Sequence, residues 1–431
     1  MSAQIVLLLS TLSLVIWAMR KPEVLIVYLA FYFSGTDILL DTINVNISNL
    51  MIKLTVICLT VFLFVVKYPV SVQRYLMRLQ KSKFAIGYCV ILLMGLVGVS
   101  FSYTNTPDKL LIIRNAFIYN LIPLCLFFVF YNERIMFRGF LLQVIIMSIA
   151  MSYIVVRFVD LTQIVIGVRT SLGSLGVDSI TLSQLALVSL LVGLVYTAYG
   201  KSLIYRAFSL LTSLLSVYVL LIGSQRGVLI GIAIALLTWL MFKSKINSLY
   251  KPLIAIALIV SSVVFLNIER FGIVERFADL ERYQEYERYN DYFRSAELFI
   301  SRPFFGYGTM GYYEQTGRQY PHNMFLEIMV EYGLIGLLLL GLMLREALKA
   351  VYMIIRDDDA SYGELAIALC WIGLFVSAQF SGNLAGNNYF YAVSGIVCAI
   401  SQNYLHHKRN SLNMNKLHDD VRELNYTQRL N

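Results

Sequence analysis

Residues 180–242 read ITLSQLALVSLLVGLVYTAYGKSLIYRAFSLLTSLLSVYVLLIGSQRGVLIGIAIALLTWLMF. Three apolar runs, 180–199, 207–223 and 227–242, are separated first by a turn holding Lys201 and Arg206. The second break is only Ser224-Gln225-Arg226-Gly227. Each run approaches the ~20 residues that a helix needs to cross ~30 Å of hydrocarbon. Backbone polar groups have no water to bond there, so such runs are helices; the ~10-residue alternation of a membrane barrel is absent.

The pattern extends in both directions. Comparable runs lie at roughly 3–19, 22–36, 49–66, 84–102, 115–131, 139–156, 252–268, 323–344, 363–381 and 387–404. Hydrophobic residues make up 58% of the chain and charged residues 14%, against about 25% charged in a soluble domain. A water-soluble core is therefore excluded. The expected fold is all-α: a polytopic transmembrane helix bundle of about 12–14 spans, with one long outer loop containing an amphipathic helix. Its divisions are transmembrane helices over 1–267, the loop 268–322, C-terminal transmembrane helices over 323–404 and a basic tail over 405–431. The first run lacks a basic flank before it and a small-residue cleavage site after it, so it reads as a retained helix. The five cysteines all fall in apolar runs and fit no disulfide or metal spacing.

Basic residues fall on every second connection: Arg20-Lys21, the 67–83 stretch, Arg134 and Arg138, Lys201 and Arg206, Lys243 to Lys251, Arg345 to Arg356, and the tail. By the positive-inside rule these connections are cytoplasmic. The net charge of +9 is thus largely an orientation signal, and no nucleic-acid partner is expected. The loops 37–48, 103–113, 157–179, 224–226, 268–322 and 382–386 then face outward, in a bacterium toward the periplasm.

The loop 268–322 holds seven arginines, nine acids and no lysine. Arginine without lysine suits bidentate binding of phosphate or carboxylate, whereas the many acids equally suit a solvated, salt-bridged helix. Residues 275–300, ERFADLERYQEYERYNDYFRSAELFI, contain no Gly or Pro and repeat aromatics at helical spacing, predicting an amphipathic helix. Arg270, Arg276, Arg282, Arg288 and Arg294 are six apart; six residues rotate about 600°, so neighbours in the series do not share a face. Pro303 stops the helix and Gly306-Tyr307-Gly308 makes a turn. His322 and Asn323 then stand at the mouth of the next apolar run. Arg226, in its tight break, emerges on the same face as His322. An arginine there is costly unless it is paired, liganded or snorkelling to headgroups.

Ser224-x-Arg226-Gly227, Arg294, Ser301-Arg302-Pro303, Gly306-x-Gly308, His322-Asn323, Glu331, Gly333 and Gly336 together resemble the bacterial O-antigen polymerase/O-antigen ligase superfamily of membrane glycosyltransferases. The resemblance covers roughly residues 205–345. It implies transfer of a glycan from undecaprenyl diphosphate to a sugar hydroxyl at the outer face of the inner membrane, with inversion and without nucleotide, metal or other cofactor. The acceptor is another lipid-linked repeat unit in a polymerase and the lipid A-core in a ligase; a chain-length regulator is a further implied partner. The expected catalytic residues are His322 as general base, with Arg226 and Arg294 on the leaving diphosphate. Arg169, Arg302, Tyr307 and Asn323 are expected to contact substrate. Tyr307, Tyr312 and Tyr313 fit sugar stacking and an interfacial aromatic belt alike. Arg169 is followed by Gly173 and Gly176, not by the glycine eleven residues later that some polymerases of this class carry. A flippase or other transporter is the rival class, but internal repeats and midplane charges on broken helices are not evident. A sensor or scaffold would not need His322 or Arg226 chemically.

Overall fold

The computed structural model describes residues 79–100, 106–130, 179–223, 225–242, 286–380 and 386–404, with a few isolated positions besides. The expected spans 3–19, 22–36, 139–156 and 252–268, most of 49–66, residue Arg169, the helix start 275–285 and the tail 405–431 lie outside them.

Among the described residues every regular element is helical, with no strand. In chain order the helices are α1 (Lys83–Ser100), α2 (Thr106–Ala116), a π-helical turn (Phe117–Leu121), α3 (Ile122–Phe130), α4 (Ser179–Tyr199), α5 (Leu203–Gly223) and α6 (Arg226–Phe242). They continue with α7 (Tyr286–Ser301), α8 (Gly311–Thr316), α9 (Met324–Arg356), α10 (Tyr362–Ser377) and α11 (388–404). Among the described residues, four stretches are long and apolar enough to cross a membrane: Pro107–Leu126, Ile180–Tyr199, Leu203–Leu220 and Met324–Arg356. The protein is an all-α polytopic bundle.

The bundle packs on small residues where helices approach. A Cβ at Gly231 of α6 would strike the Gly373 backbone of α10, and one at Gly373 would press on Leu187 of α4 at 3.1 Å. Inside, Trp371 stacks on Phe375 at 5.2 Å and donates its indole N–H to Ser394 Oγ at 2.8 Å, tying α10 to α11. Ser361 and Glu364 form a reciprocal capping box that starts α10.

Two boundaries differ from the sequence expectation. The span placed at 115–131 begins at Thr106, so residues 106–113 are helix rather than loop. The charges that suggested a loop are accommodated by tertiary contacts: Lys109 is buried and pairs with Glu314 at 2.7 Å. The helix placed at 323–344 runs on to Arg356. At ~1.5 Å per residue it is about 50 Å long and outreaches the hydrocarbon, so its Arg-bearing end need not be in lipid.

That long helix is also broken. Gly333 has φ 62° and ψ −154°, well outside helical values. The break frees two carbonyls and two amides, and residues 303–308 satisfy all four. Tyr307 N–H donates to Val330 O (2.9 Å) and Gly308 N–H to Glu331 O (2.7 Å); Leu334 N–H donates to Pro303 O (2.7 Å) and Ile335 N–H to Phe304 O (3.3 Å). The loop after α7 is thus stitched into the helix by four backbone hydrogen bonds at the break.

Candidate functional site

The site is built around the N-terminus of α9. His322 has φ 55°, a left-handed conformation uncommon outside glycine, and turns the chain from Pro321 into the helix. Asn323 is the N-cap: its side-chain oxygen accepts from Phe325 N–H (2.9 Å) and Leu326 N–H (3.1 Å). Its side-chain N–H donates to Gln379 O at 3.2 Å. The next residue along, Phe380, lies against Gly227, where an added Cβ would sit 2.5 Å from Phe380 Cβ. Gln379 and Phe380 therefore hold the starts of α9 and α6 side by side, which brings the Arg226 backbone close to His322-Asn323. Both helix N-termini present their positive ends at this place, a setting that favours an anion. Asn323→Ala is expected to cost about 1 kcal/mol through loss of the cap. A lowered thermal midpoint in detergent, with the protein still folded, checks this.

Beside these N-termini lies a cavity of about 370 Å³. Its polar lining includes Asp108, Thr309, Gln319, Tyr320, Glu327 and Glu331. Tyr320 meets the His322 ring edge-on at 4.6 Å, so the histidine stands next to the cavity. Glu327 and Glu331 lie one turn apart on α9 and are both buried. Glu327 Oε2 accepts from Leu384 N–H at 2.7 Å, and the Glu331 carboxylate accepts from the Met310 backbone. Leu384 O in turn accepts from Asn120 Nδ2 at 3.3 Å, whose other donation goes to Tyr88 Oη at 2.8 Å. Asn120 sits in the π-helical turn, which sets it inward toward this network. Thr309 and Tyr332 hydroxyls share a hydrogen bond of 2.9 Å at the cavity wall.

The remaining expected site residues divide. Arg302 lies over the Tyr307 ring at 4.6 Å, and Tyr307 Oη bonds Ser301 Oγ at 2.6 Å, so these residues form one unit at the end of α7. Arg294 is exposed on α7 and does not line the cavity. It belongs with a second cluster in which buried Asp291 accepts from Tyr312 Oη (2.7 Å) and pairs with Arg318 (2.9 Å). Burial, then the hydrogen bond to Asp291, raises the Tyr312 hydroxyl above its usual range, which keeps it a donor; Arg318 and Arg294 pull the other way.

Several residues here were not singled out from sequence: Asp108, Lys109, Asp291, Arg318 and Glu327. Glu327 had a signal, since a second acid one turn from Glu331 in an otherwise apolar helix is costly in lipid and marks a site. Lys109 and Asp291 had none, because only their distant partners distinguish them from surface charges.

The family model described as O-antigen ligase matches residues 210–341. The matched stretch contains Arg226, Arg294, Arg302, Tyr307, His322 and Asn323, together with the glycines of the loop–helix stitch; Arg169 lies outside it. No curated protein matches the chain. Residues 210–341 of this chain are thus similar to the O-antigen ligase family, a match that supports the O-antigen polymerase/ligase superfamily its motifs resemble.

Proposed function

We propose that the protein is a membrane glycosyltransferase that polymerises undecaprenyl-diphosphate-linked oligosaccharide repeat units at the periplasmic face of a bacterial inner membrane. The observation that carries this reading is the convergence of the α6 and α9 N-termini, with His322 between them and the polar cavity. The cavity receives the acceptor sugar, whose hydroxyls meet Asp108, Gln319, Tyr320 and the buried carboxylates. His322 removes the proton of the attacking hydroxyl. The acceptor oxygen bonds the anomeric carbon from one face, and the bond to the diphosphate breaks on the other, inverting the centre. The electron pair leaves on the diphosphate, where Arg226 and the two helix N-termini stabilise the growing charge, with Arg294 reaching the donor from the second cluster. Arg302 with Tyr307, and Arg169 from the preceding outer loop, contact the donor. Asn323 acts through position, holding His322 at the helix start.

Because guanidinium groups and helix ends supply the positive charge, transfer is expected to proceed fully in EDTA. Purified full-length protein in detergent, given lipid-linked repeat units alone, is expected to yield a ladder of longer glycans on a gel. Consumption of lipid-linked repeat units only when lipid A-core is added would replace polymerisation by ligation. No transfer to either acceptor would refute the enzymatic reading.

A further inference from the structure

A second concavity lies on the other side of α2. It is an apolar groove of about 530 Å³ between α1 and α2, lined by Leu92 and Leu96 from one helix and Leu110, Leu111 and Arg114 from the other, with Phe117 below. Leu96, Leu110, Leu111 and Phe117 are all exposed, so the groove opens outward rather than into the core. In a membrane-spanning segment, an opening of this kind meets acyl chains.

Arg114 is the feature that needs an explanation. It lies within the candidate span Pro107–Leu126, about two turns from its start, and it is exposed. Its side chain donates to the neighbouring Asn115 Oδ1 at 3.2 Å, and no carboxylate pairs with it among the described residues. A guanidinium at this depth without a counter-charge is costly, and a phosphate is its best-matched partner. Helix α2 is two-faced here. Asp108, Ile112 and Ala116 face the polar cavity, whereas Leu110, Leu111, Arg114 and Phe117 face the groove; Leu92 and Ile113 belong to both walls. The apolar groove with its cation thus adjoins the polar cavity across the shared walls Leu92 and Ile113. An ordinary phospholipid headgroup would leave the cavity unused.

Helix α1 packs on α9, where a Cβ at Gly87 would meet Met343 Cγ at 2.7 Å, while the start of α6 packs on Phe380 beyond α10.

We propose that the α1–α2 groove binds the polyprenyl chain of the lipid-linked acceptor, with Arg114 on its phosphate. The acceptor role rests on the glycosyl-transfer reading above; the lipid site does not.

The test uses full-length protein in phosphatidylcholine nanodiscs, with undecaprenyl phosphate as the probe and bound lipid counted by native mass spectrometry. Arg114→Gln, and Leu110→Trp, which fills the groove, are each expected to weaken one bound lipid by about tenfold or more, while Arg114→Lys keeps most of the binding. Wild-type stoichiometry and affinity in both variants would overturn the site. Displacement of that lipid by an equal amount of phosphatidylglycerol would also overturn it, leaving a general headgroup contact. In transfer assays, Arg114→Gln is expected to raise KM about tenfold for a lipid-linked acceptor and leave a soluble glycoside acceptor unaffected. An equal loss with both acceptors would remove the acceptor role. Lipid loss in the variants, with no glycan ladder from the wild type, would sink the transfer reading and leave the lipid site standing.

Discussion

Gly333→Ala is expected to cause a large loss of stability. Gly333 has φ 62°, where a side chain is strained, and its Cβ would sit 2.5 Å from both the carbonyl carbon and the oxygen of Phe304. Neither atom belongs to a flexible side chain that can step aside; both are backbone held by the stitch between 303–308 and 330–335. Gly306 is the mirror of this position: φ is 67° and an added Cβ would lie 2.5 Å from Glu331 C and Val330 O. Positive-φ strain of about 1–3 kcal/mol combines with an overpacking cost of similar size. The helix could relieve both by straightening through residue 333, but that would expel the loop and leave Tyr307 and Gly308 amides without partners. Each variant should therefore accumulate poorly in membranes, or melt well below the parent in detergent when recovered. A parental melting midpoint for Gly333→Ala would show that the break is not needed for the fold.

His322→Asn is expected to lower transfer by about 10²–10⁴-fold while leaving the protein folded. Asparagine is chosen because the position has φ 55°, which asparagine tolerates better than alanine. The loss should fall on kcat more than on KM, since the base acts on the hydroxyl as the bond forms. Arg226→Gln is expected to be comparably damaging, because removing a fixed cation from a leaving diphosphate raises the barrier in a poorly hydrated site. The paired readout is glycan ladder length against protein level in the membrane. Full-length glycan in both variants at normal protein levels would sink the catalytic assignment, and a sensor or scaffold role would then account for the chain better.

The long outer loop shows how much of the site was legible in advance. Pro303 and the Gly306-Tyr307-Gly308 turn were marked by composition, and α7 does end at Ser301. Their purpose was not marked. The same residues read as a surface turn until residues 330–335 are seen to receive them. Arg294 and His322 were grouped because both flank one loop, yet Arg294 stands with Asp291, Tyr312 and Arg318, whereas His322 stands with Tyr320 at the cavity. Sequence distance along a loop says little about which side chains meet, because a folded loop returns on itself. Arg226 is the opposite case. That it emerges on the same face as His322 followed from counting crossings, and the shared seat on Gln379 and Phe380 brings the starts of α6 and α9 together.

Helical class and membrane location were set by the chain itself, run by run. A bilayer imposes the same local demand on every crossing, namely ~20 apolar residues with backbone bonds closed internally, so no distant contact is needed to read it. The reverse holds wherever polar groups enter the bundle. That α2 begins at Thr106, that α9 breaks at Gly333 and that Glu327 can be buried all depend on partners far along the chain: Glu314, residues 303–308 and Leu384. A buried charge or an open backbone group has no satisfactory state in lipid on its own, so only the tertiary structure, by supplying its partner, decides where it stands.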